Sequence, residues 1–302
     1  MKTASQPPAG FKSGYAMLLG RPNVGKSTIL NAVMGEELAI VTPKPQTTRN
    51  RILGISTADE YQIIFLDTPG VIEDDRGLNL FLKREIQRAM SDADVILLVV
   101  EATGPPKLTE KTLIERLRTM ARPVVLAINK IDRAKREDLL PLIEQYMQIH
   151  DFAAIVPICA TRADGIGRLV EEVVKALPEG PMYYPPDQLT SATERFLVAE
   201  MIREQVFLQT KQEIPYSSAV LVEAYEQQVD LLRIHAKIFI EREGQKGILI
   251  GHGGEKMKSI GSAARRKIEA FASKRVFLDL RVVVKKDWTR SESMLREMGY
   301  TS

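Results

Sequence analysis

Short apolar runs alternate with segments of helical periodicity in the first part of the chain. Helical periodicity covers, for example, Ser27–Met34 and Gly165–Leu177. Strands that alternate with helices predict a mainly parallel α/β sheet. The predicted strands are Tyr15–Leu19, Arg51–Ser56, Tyr61–Leu66, Val95–Val100, Val124–Ile128 and Ala154–Ile158.

One connection in this region is too short for a parallel crossover. The second and third predicted strands are separated by Thr57–Glu60 alone. A parallel crossover takes about a dozen residues or more, so these two strands are predicted to form an antiparallel hairpin at one side of the sheet. The sheet is therefore expected to be mixed.

A proline-rich segment, Pro178–Asp187, separates this pattern from a different one. Its four prolines in ten residues break both helix and strand. The residues beyond it predict an α+β arrangement. Its elements are the helix Thr193–Leu208, the strands Ser217–Glu226 and Leu231–Glu243, a glycine-rich turn, the helix Glu255–Phe271, the strand Arg275–Lys286 and a final helix. We therefore divide the chain into a disordered arm (1–14), an α/β domain (15–178), a proline-rich linker (179–190) and an α+β domain (191–302).

Composition agrees with two globular domains and excludes several other classes. The chain has 302 residues, 44% hydrophobic and 27% charged, and a domain usually takes about 100 to 200 residues. No apolar run approaches the roughly 18 residues of a membrane span, and a signal peptide's apolar stretch is missing. One cysteine and three histidines exclude a disulfide framework and a zinc finger. We expect a soluble, intracellular protein without a structural metal.

Charge is distributed unevenly along the chain. The segment Arg233–Arg290 carries 15 Lys and Arg against 6 Asp and Glu, whereas the formal net charge of the whole chain is only +3. A basic segment of this kind is compatible with a polyanion partner. Charge alone favours an ordinary solvated surface, so polyanion binding needs independent support.

Directly after the first predicted strand, the residues GRPNVGKS match the phosphate-binding pattern G-x-x-x-x-G-K-[ST]. Glycines let backbone N–H groups face the phosphates, a helix N-terminus favours negative charge, and a lysine neutralises phosphate oxygens. The serine supplies a hydroxyl for magnesium. The predicted nucleotide contacts here are Gly20, Arg21, Pro22, Asn23, Val24, Gly25, Lys26, Ser27 and Thr28.

Two further motifs follow in an order typical of guanine-nucleotide switches. The residues DTPG end a strand, where the carboxylate can reach magnesium through water and the glycine N–H can meet a γ-phosphate. The residues NKID follow a later strand, and their carboxylate can accept hydrogen bonds from the guanine N1 and N2 groups that adenine lacks. DTPG alone would usually be a turn, and Asn-Lys-x-Asp can occur by chance, so the order of the three motifs carries the interpretation. The candidate residues are Asp67, Thr68, Pro69, Gly70, Asn129, Lys130 and Asp132.

The three motifs in this order resemble the translation-factor-related class of small GTPases over residues 15–178. That resemblance implies GTP binding and hydrolysis with Mg²⁺. The segment Thr42–Arg51 is similar to switch I of the bacterial Era GTPases, which implies that Thr48 is the magnesium and γ-phosphate threonine. Thr47 remains an alternative, because a motif cannot separate adjacent threonines. The metal would then be held by Ser27, Thr48 and Asp67, and the candidate catalytic residues are Lys26, Thr48, Asp67, Gly70 and Asn23.

Four positions bear on the rate of hydrolysis and on base binding. Val71 stands where Ras-like enzymes place a water-orienting glutamine, so slow intrinsic hydrolysis is expected. Asn23 is similar to the asparagine with which some such GTPases hold K⁺; the alternative is that it only shapes the loop. Cys159 and Ala160 replace the usual Ser-Ala of the base loop. The Ala160 N–H is predicted to meet guanine O6, whereas the bracing role of Cys159 is in doubt because a thiol is a weak hydrogen bonder.

In the basic segment, the residues GHGG lie between an apolar run and a helical pattern. A G-x-x-G pattern means little by itself, but a loop that joins two short helices after a strand pair resembles a type II KH domain, whose loop clamps single-stranded RNA. Trp288 is more simply a packing residue than a stacking platform, and His235 a structural one. The candidate RNA contacts are Lys246, Gly251, His252, Gly253, Gly254, Lys256, Lys258 and Arg265.

A P-loop GTPase domain followed by a KH domain resembles the Era family across residues 12–300. The resemblance implies binding of the 3′ end of 16S rRNA, a role in 30S subunit assembly, and a cytoplasmic monomer with peripheral membrane contact and no DNA partner. It also implies that GTP orders Thr42–Arg51 and Asp67–Arg84 and thereby changes RNA affinity. The alternative is a GTPase switch whose basic domain binds a protein or an anionic membrane.

Overall fold

The computed structural model describes residues 8–70 and 77–300. Their contacts divide them into two compact units. The first unit contains residues 8–39, 48–70 and 83–191, and the second contains residues 40–47, 77–82 and 192–300. The unit boundaries therefore differ from a simple division along the chain, because two short segments from the first 100 residues are grouped with the second unit.

A six-stranded sheet forms the centre of the first unit. The strand order is β2-β3-β1-β4-β5-β6, with β2 antiparallel to β3 and all other neighbours parallel. This confirms the mixed sheet and the hairpin at its side. The strands are β1 (Lys12–Leu19), β2 (Ile52–Ala58), β3 (Tyr61–Asp67), β4 (Val95–Glu101), β5 (Val124–Asn129) and β6 (Ala154–Pro157). The helices are α1 (Lys26–Met34), α2 (Leu78–Asp92), α3 (Leu108–Arg118), α4 (Arg136–Ile149) and α5 (Ile166–Ala176).

The central strands are apolar on both faces, as expected for parallel strands covered on both sides. All six residues of β5 and the first six of β4 are buried. Polar residues begin where the strands end, at Asp67 of β3 and Asn129 of β5, while β1 ends one residue before Gly20. The carboxyl ends of parallel strands therefore bring the three sequence motifs to the same edge of the sheet.

Both ends of the predicted α/β domain differ from the expectation. The strand β1 begins at Lys12, and Phe11 and Ser13 are buried, so the predicted arm of residues 1–14 is too long. Residues 1–7 lie outside the described part. The proline-rich segment is also anchored: the N–H groups of Tyr183 and Tyr184 donate to Gln62 Oε1 at 2.7 and 2.9 Å. Proline interrupts regular structure here without releasing the chain.

The second unit is an α+β fold around a three-stranded sheet of order β7-β8-β9, in which β7 and β8 are antiparallel and β8 and β9 parallel. Apolar residues of α6 and α9 pack with the sheet to form its core. The strands are β7 (Ala219–Gln227), β8 (Leu231–Ile240) and β9 (Arg275–Val284). The helices are α6 (Glu194–Gln209), α7 (Ile214–Ser217), α8 (Glu243–Ile250), α9 (Glu255–Ala272) and α10 (Glu292–Glu297).

Two expectations for this unit need correction. The strand β8 ends at Ile240 and not at Glu243, because Gln245 Oε1 accepts the N–H groups of Glu241 (3.0 Å) and Arg242 (3.1 Å) and thereby starts α8. The helix that follows the glycine-rich loop, α9, has 18 residues and is not short. Within residues 8–70 and 77–300, no helix is both long and apolar enough to cross a membrane.

Candidate functional site

The loop after β1 ends in a buried lysine at the start of a helix. Gly25 precedes α1 with a left-handed backbone (φ 104°), and Lys26 is its first residue, with 6% of its surface exposed. The Lys26 ammonium donates to the carbonyl oxygens of Gly20 and Arg21, both at 3.1 Å. Burial lowers the pKa of Lys26 to about 8, although the charge of Asp67 opposes the shift. A buried cation at a helix N-terminus is a site for an anion.

Three side-chain oxygens converge beside this lysine. Ser27 Oγ donates to Asp67 Oδ2 at 2.6 Å and lies 2.9 Å from Thr48 Oγ1, which is 3.2 Å from the same carboxylate oxygen. Asp67 is fully buried, and its Oδ1 has no hydrogen-bond partner among the described residues. Burial also raises the pKa of this carboxyl group. Hydroxyl and carboxylate oxygens are the ligands that Mg²⁺ prefers, so the cluster with its unpartnered oxygen fits this ion.

The geometry separates the two candidate threonines of switch I. Thr48 is the residue that reaches Ser27 and Asp67. Thr47 Oγ1 donates instead to the Lys44 carbonyl oxygen at 2.8 Å and lies 2.7 Å from Thr42 Oγ1. Thr47 therefore holds its own loop together.

The DTPG residues pass close to the phosphate-binding loop. Thr68 Oγ1 donates to the carbonyl oxygen of Leu18 at 2.8 Å. A Cβ atom placed on Gly70 would lie 2.8 Å from the Cα atom of Pro22, so only glycine allows this approach. Pro69 stands between them in the motif, and Val71 lies outside the described residues.

The Asn-Lys-x-Asp residues brace the phosphate-binding loop from the other side. Asn129 Nδ2 donates to the Val24 carbonyl oxygen at 2.8 Å, while Asn129 Oδ1 accepts the Ala160 N–H at 3.1 Å. Lys130 donates to the Asn23 carbonyl oxygen at 2.6 Å and forms an ion pair with Glu101. The Ala160 N–H, which is predicted to meet guanine O6, is therefore bonded within the protein.

Asp132 remains open to a ligand at the same edge of the sheet. It is exposed, and Cys159 Sγ donates to its Oδ1 at 3.2 Å. This hydrogen bond is the main cause that lowers the pKa of Asp132. The thiol thus contacts the carboxylate that the sequence analysis assigns to guanine, so the doubt about Cys159 as a brace is not supported.

A buried carboxylate outside the motifs also supports the loop. Glu110 of α3 is 3% exposed and accepts hydrogen bonds from Arg21 (3.2 Å), the Tyr146 hydroxyl (2.9 Å) and the Lys107 N–H (2.8 Å). Burial raises the pKa of Tyr146. Sequence reasoning missed this network, since an acidic residue in the first turn of a helix is explained by the helix dipole alone.

The glycine-rich loop of the second unit joins α8 to α9 in a very open conformation. Gly251, Gly253 and Gly254 have φ values of 75°, 55° and 83°. Among the described residues, no atom lies within 4 Å of a Cβ placed on Gly253 or Gly254, and His252 is exposed. The backbone of this loop is therefore accessible to a ligand.

A groove of about 540 Å³ begins at this loop. Its floor is apolar and its rim carries Lys258 and Arg265, both exposed. Arg265 Nε also lies 3.9 Å from Glu269 Oε1. The groove is lined by Ile250, Gly254, Met257, Lys258, Gly261, Ser262, Arg265, Leu278, Leu280 and Val282. An apolar floor with a cationic rim suits bases and phosphates, respectively.

The other residues considered as RNA contacts have different surroundings in the structure. Lys246 is half-buried on α8, outside the groove lining. The Lys256 ammonium donates to the Gln209 carbonyl oxygen at 3.0 Å, at the C-terminus of α6, so Lys256 has a structural role that the sequence analysis did not predict. Trp288 is fully buried and its Nε1 donates to the Ser217 carbonyl oxygen at 2.9 Å, which favours packing over stacking on a ligand.

The fold and the two sites define a class: a P-loop GTPase domain followed by a KH domain. The family described as 50S ribosome-binding GTPase matches residues 15–130, and the KH domain family matches residues 213–289.

Several relatives match nearly the whole chain. GTPase Era of Syntrophus aciditrophicus is 49% identical over 292 residues, which are 96% of this chain and 95% of the relative. GTPase Era of Geobacter metallireducens is 46% identical over 96% of this chain and 98% of its own length. The chain belongs to the Era family of GTPases.

Two solved structures agree with this membership. One is Era in complex with MgGDPNP and nucleotides 1506–1542 of 16S ribosomal RNA, and the other is a point variant of Aquifex aeolicus Era bound to GDP and AlF₄⁻. Each has a TM-score of 0.93 and 36% identity, and covers 97% of this chain and 100% of its own.

Proposed function

We propose that this GTPase binds GTP with Mg²⁺ at the edge of the first sheet and single-stranded RNA in the groove of the KH domain. The RNA would be the 3′ end of 16S rRNA, and the protein would act in assembly of the 30S subunit. The observation that carries the nucleotide half is the convergence of Ser27, Thr48 and Asp67 beside Lys26. The RNA half is supported by the open loop and its groove, and by the relative solved with 16S rRNA nucleotides.

The phosphate end of the site provides charge and fixed hydrogen-bond donors. Lys26 and the N-terminus of α1 would neutralise the phosphate oxygens, and the Gly70 N–H would bond to the γ-phosphate. Ser27, Thr48 and Asp67 would hold Mg²⁺, which supplies compensation for the charge that develops on the transferred phosphoryl group. Such preorganised groups lower the barrier because they need little reorientation during the reaction.

The base end of the site provides specificity. Asp132 would accept from N1 and N2 of guanine, and the hydrogen bond from Cys159 holds the carboxylate in place and favours its ionised form. Asn129 ties the base loop to the phosphate-binding loop through Ala160 and Val24. The same few side chains therefore connect base recognition to the position of the phosphates.

Two features of hydrolysis rest on the sequence alone. Val71 predicts a slow intrinsic rate, because its side chain cannot orient water by hydrogen bonding. Asn23 predicts K⁺ dependence, with loop shaping as the alternative; it is exposed and has a left-handed backbone (φ 65°). Equal hydrolysis rates in Na⁺ and K⁺ buffers would exclude the K⁺ role.

The RNA half is tested by titrating a labelled single strand that matches the 16S 3′ end with GDP-loaded protein and with protein loaded with a non-hydrolysable GTP analogue. The matched variant carries His252→Asp and Gly253→Asp, which place two negative charges on the open loop. We expect sequence-selective binding by the native chain, stronger with the GTP analogue. In the variant, RNA affinity falls at least about tenfold while GTP affinity is unchanged, since phosphate contacts dominate the affinity.

Unselective, nucleotide-independent binding that persists in the variant would contradict the RNA proposal. It would favour the alternative in which the basic domain binds a protein or an anionic membrane, and vesicles with anionic lipid distinguish these two partners. Cytoplasmic location, peripheral membrane contact, a monomeric state and the absence of a DNA partner remain predictions of the family resemblance.

A further inference from the structure

A buried carboxylate on α3 lies against the phosphate-binding loop of the same unit. Glu110 is 3% exposed, and its two oxygen atoms have different partners. Oε1 accepts a hydrogen bond from the Arg21 guanidinium at 3.2 Å. Oε2 accepts from the Lys107 N–H at 2.8 Å and from the Tyr146 hydroxyl at 2.9 Å. One oxygen thus holds the carboxylate in the protein interior, and the other faces the loop.

The contacts of Oε2 fix the orientation of this carboxylate. Lys107 is the N-cap of α3 and Glu110 is the third residue of the helix, so their hydrogen bond belongs to the helix start. Tyr146 of α4 is 1% exposed and packs in the apolar core of the first unit. Burial, and then the charge of Glu110, raise the pKa of Tyr146, so its hydroxyl stays protonated and donates. Two helices therefore hold Oε1 toward Arg21.

Arg21 is held through both its side chain and its backbone. Its guanidinium pairs with Glu110, while its carbonyl oxygen accepts from the Lys26 ammonium at 3.1 Å. A buried carboxylate is costly unless its charge is paired, so Glu110 favours the conformation in which Arg21 reaches it. With its side chain and its carbonyl group both held, the backbone of Arg21 has little freedom. This residue lies in the loop of residues 20–25, whose N–H groups would face the phosphates.

We infer that Glu110 is a positioning residue for the phosphate-binding loop: through Arg21 it keeps the loop ordered before a nucleotide arrives, and it thereby slows nucleotide release. The inference rests on the proposed binding of GDP and GTP at this loop. A loop that is already ordered binds without the entropic cost of ordering it. Ordering the backbone of one residue costs about five- to 30-fold in a binding constant. Because the loop would contact the α- and β-phosphates, which both nucleotides carry, the effect should be equal for GDP and GTP.

One substitution breaks the contact with Arg21 and keeps the other contacts of the carboxylate. Glu110→Gln retains a side-chain oxygen for Lys107 and Tyr146, and it places an amide N–H group, which is a donor, against the donors of the guanidinium. The Arg21 side chain is 26% exposed, so its unpaired charge can turn toward water and the fold should persist. The variant therefore tests the contact between Glu110 and the loop by itself.

The experiment uses the full chain and measures the affinities and release rates of fluorescently labelled GDP and of a labelled, non-hydrolysable GTP analogue. It also measures single-turnover hydrolysis at saturating GTP. In Glu110→Gln, both nucleotides should bind about five- to 30-fold more weakly, mainly because they are released faster. Hydrolysis at saturation should stay within about twofold, because a bound nucleotide orders the loop in either protein. Tyr146→Phe removes one bond to Oε2 and should change both release rates in the same direction by a smaller factor.

The matched control is Arg122→Gln, which breaks another arginine–carboxylate pair of the first unit (3.8 Å to Asp94) and should leave every readout unchanged. A merely structural role of Glu110 would lower the melting temperature without separating affinity from hydrolysis. Tyr146→Phe tests the inference even where Glu110→Gln lowers the melting temperature. Release rates unchanged in both variants, or losses confined to the GTP analogue or to hydrolysis, would overturn the inference.

A double-mutant cycle with Arg21→Ala tests the route of this effect. If Glu110 acts through Arg21, Glu110→Gln should cause no further increase in release rate in the Arg21→Ala background. Additive effects would contradict this route. A native chain that binds neither nucleotide would contradict the proposed function itself, whereas a native chain that binds both and variants that release them at the native rate would contradict this inference alone.

Discussion

The two candidate sites use glycine for opposite reasons. In the nucleotide site, Gly70 is required because the protein's own backbone is close: an added Cβ would contact Pro22 Cα at 2.8 Å. In the KH loop, Gly253 and Gly254 have left-handed backbones, and among the described residues no atom lies within 4 Å of an added Cβ. The first site is shaped by packing within the protein, whereas the second keeps its backbone open to a ligand.

The charged groups of the two sites differ in the same way. Lys26 is buried and Asp67 is fully buried, and desolvation shifts the pKa values of both groups. Lys258 and Arg265 are exposed on the rim of a groove. Buried, preorganised charges suit the phosphate groups of a small ligand that is enclosed at that end of its site. Exposed charges suit a polymer that is held by many weak, salt-sensitive contacts.

The largest effect is expected at the base end of the nucleotide site. Asp132→Asn removes the carboxylate that would accept from both guanine N–H groups, and a site built on such bonds can lose about 10⁴-fold in affinity. Xanthosine triphosphate, which carries an oxygen in place of the guanine amino group, should gain affinity because the new amide can donate to it. Calorimetric titration with GTP and with xanthosine triphosphate measures the loss of the first affinity and the gain of the second. GTP affinity that stays within tenfold of the native value would refute this role of Asp132, and binding of the RNA strand to the nucleotide-free protein should not change.

A matched pair of glycine substitutions addresses the comparison directly. Gly70→Ala forces the loop away from Pro22 and should lower GTP hydrolysis by about 100-fold, the cost of a displacement of about 1 Å. Gly254→Ala meets no atom but strains a backbone at φ 83°, and it places a methyl group where the RNA backbone would approach. It should weaken RNA binding and leave hydrolysis as it was. The reverse pattern, or two losses in both assays, would mean that the sites do not differ in this way.

The sequence predicts the residues of the nucleotide site better than it predicts the residues that hold them in place. Motif spacing alone places Lys26, Ser27, Asp67 and Asp132 at one edge of the sheet, because each follows a strand that is visible as an apolar run. It does not separate Thr48 from Thr47, since that choice depends on which hydroxyl faces Ser27 in three dimensions.

The residues that hold the nucleotide site in place have no sequence motif of their own. Glu110 lies 89 positions from Arg21 and 36 positions from Tyr146. It looks like an ordinary charged residue on a helix, and its role appears only when the fold brings a distant guanidinium and a distant hydroxyl to it. The sequence predicts the groove of the second unit less completely than the nucleotide site. The glycines of its loop are evident in the sequence, but the sequence does not show which lysines line the groove.

The smallest expected effect distinguishes two lysines that the sequence treats alike. Lys258 lines the groove, whereas Lys256 donates to the Gln209 carbonyl oxygen at 3.0 Å. Each phosphate contact on a single strand contributes about 0.7 to the slope of log affinity against log salt, so Lys258→Ala should reduce this slope by about 0.7. Lys256→Ala should leave the slope unchanged and lower the thermal stability of the KH domain, because it removes a cap from α6. RNA titrations at four or more salt concentrations compare the two variants, and equal losses of slope would place both lysines on the RNA backbone.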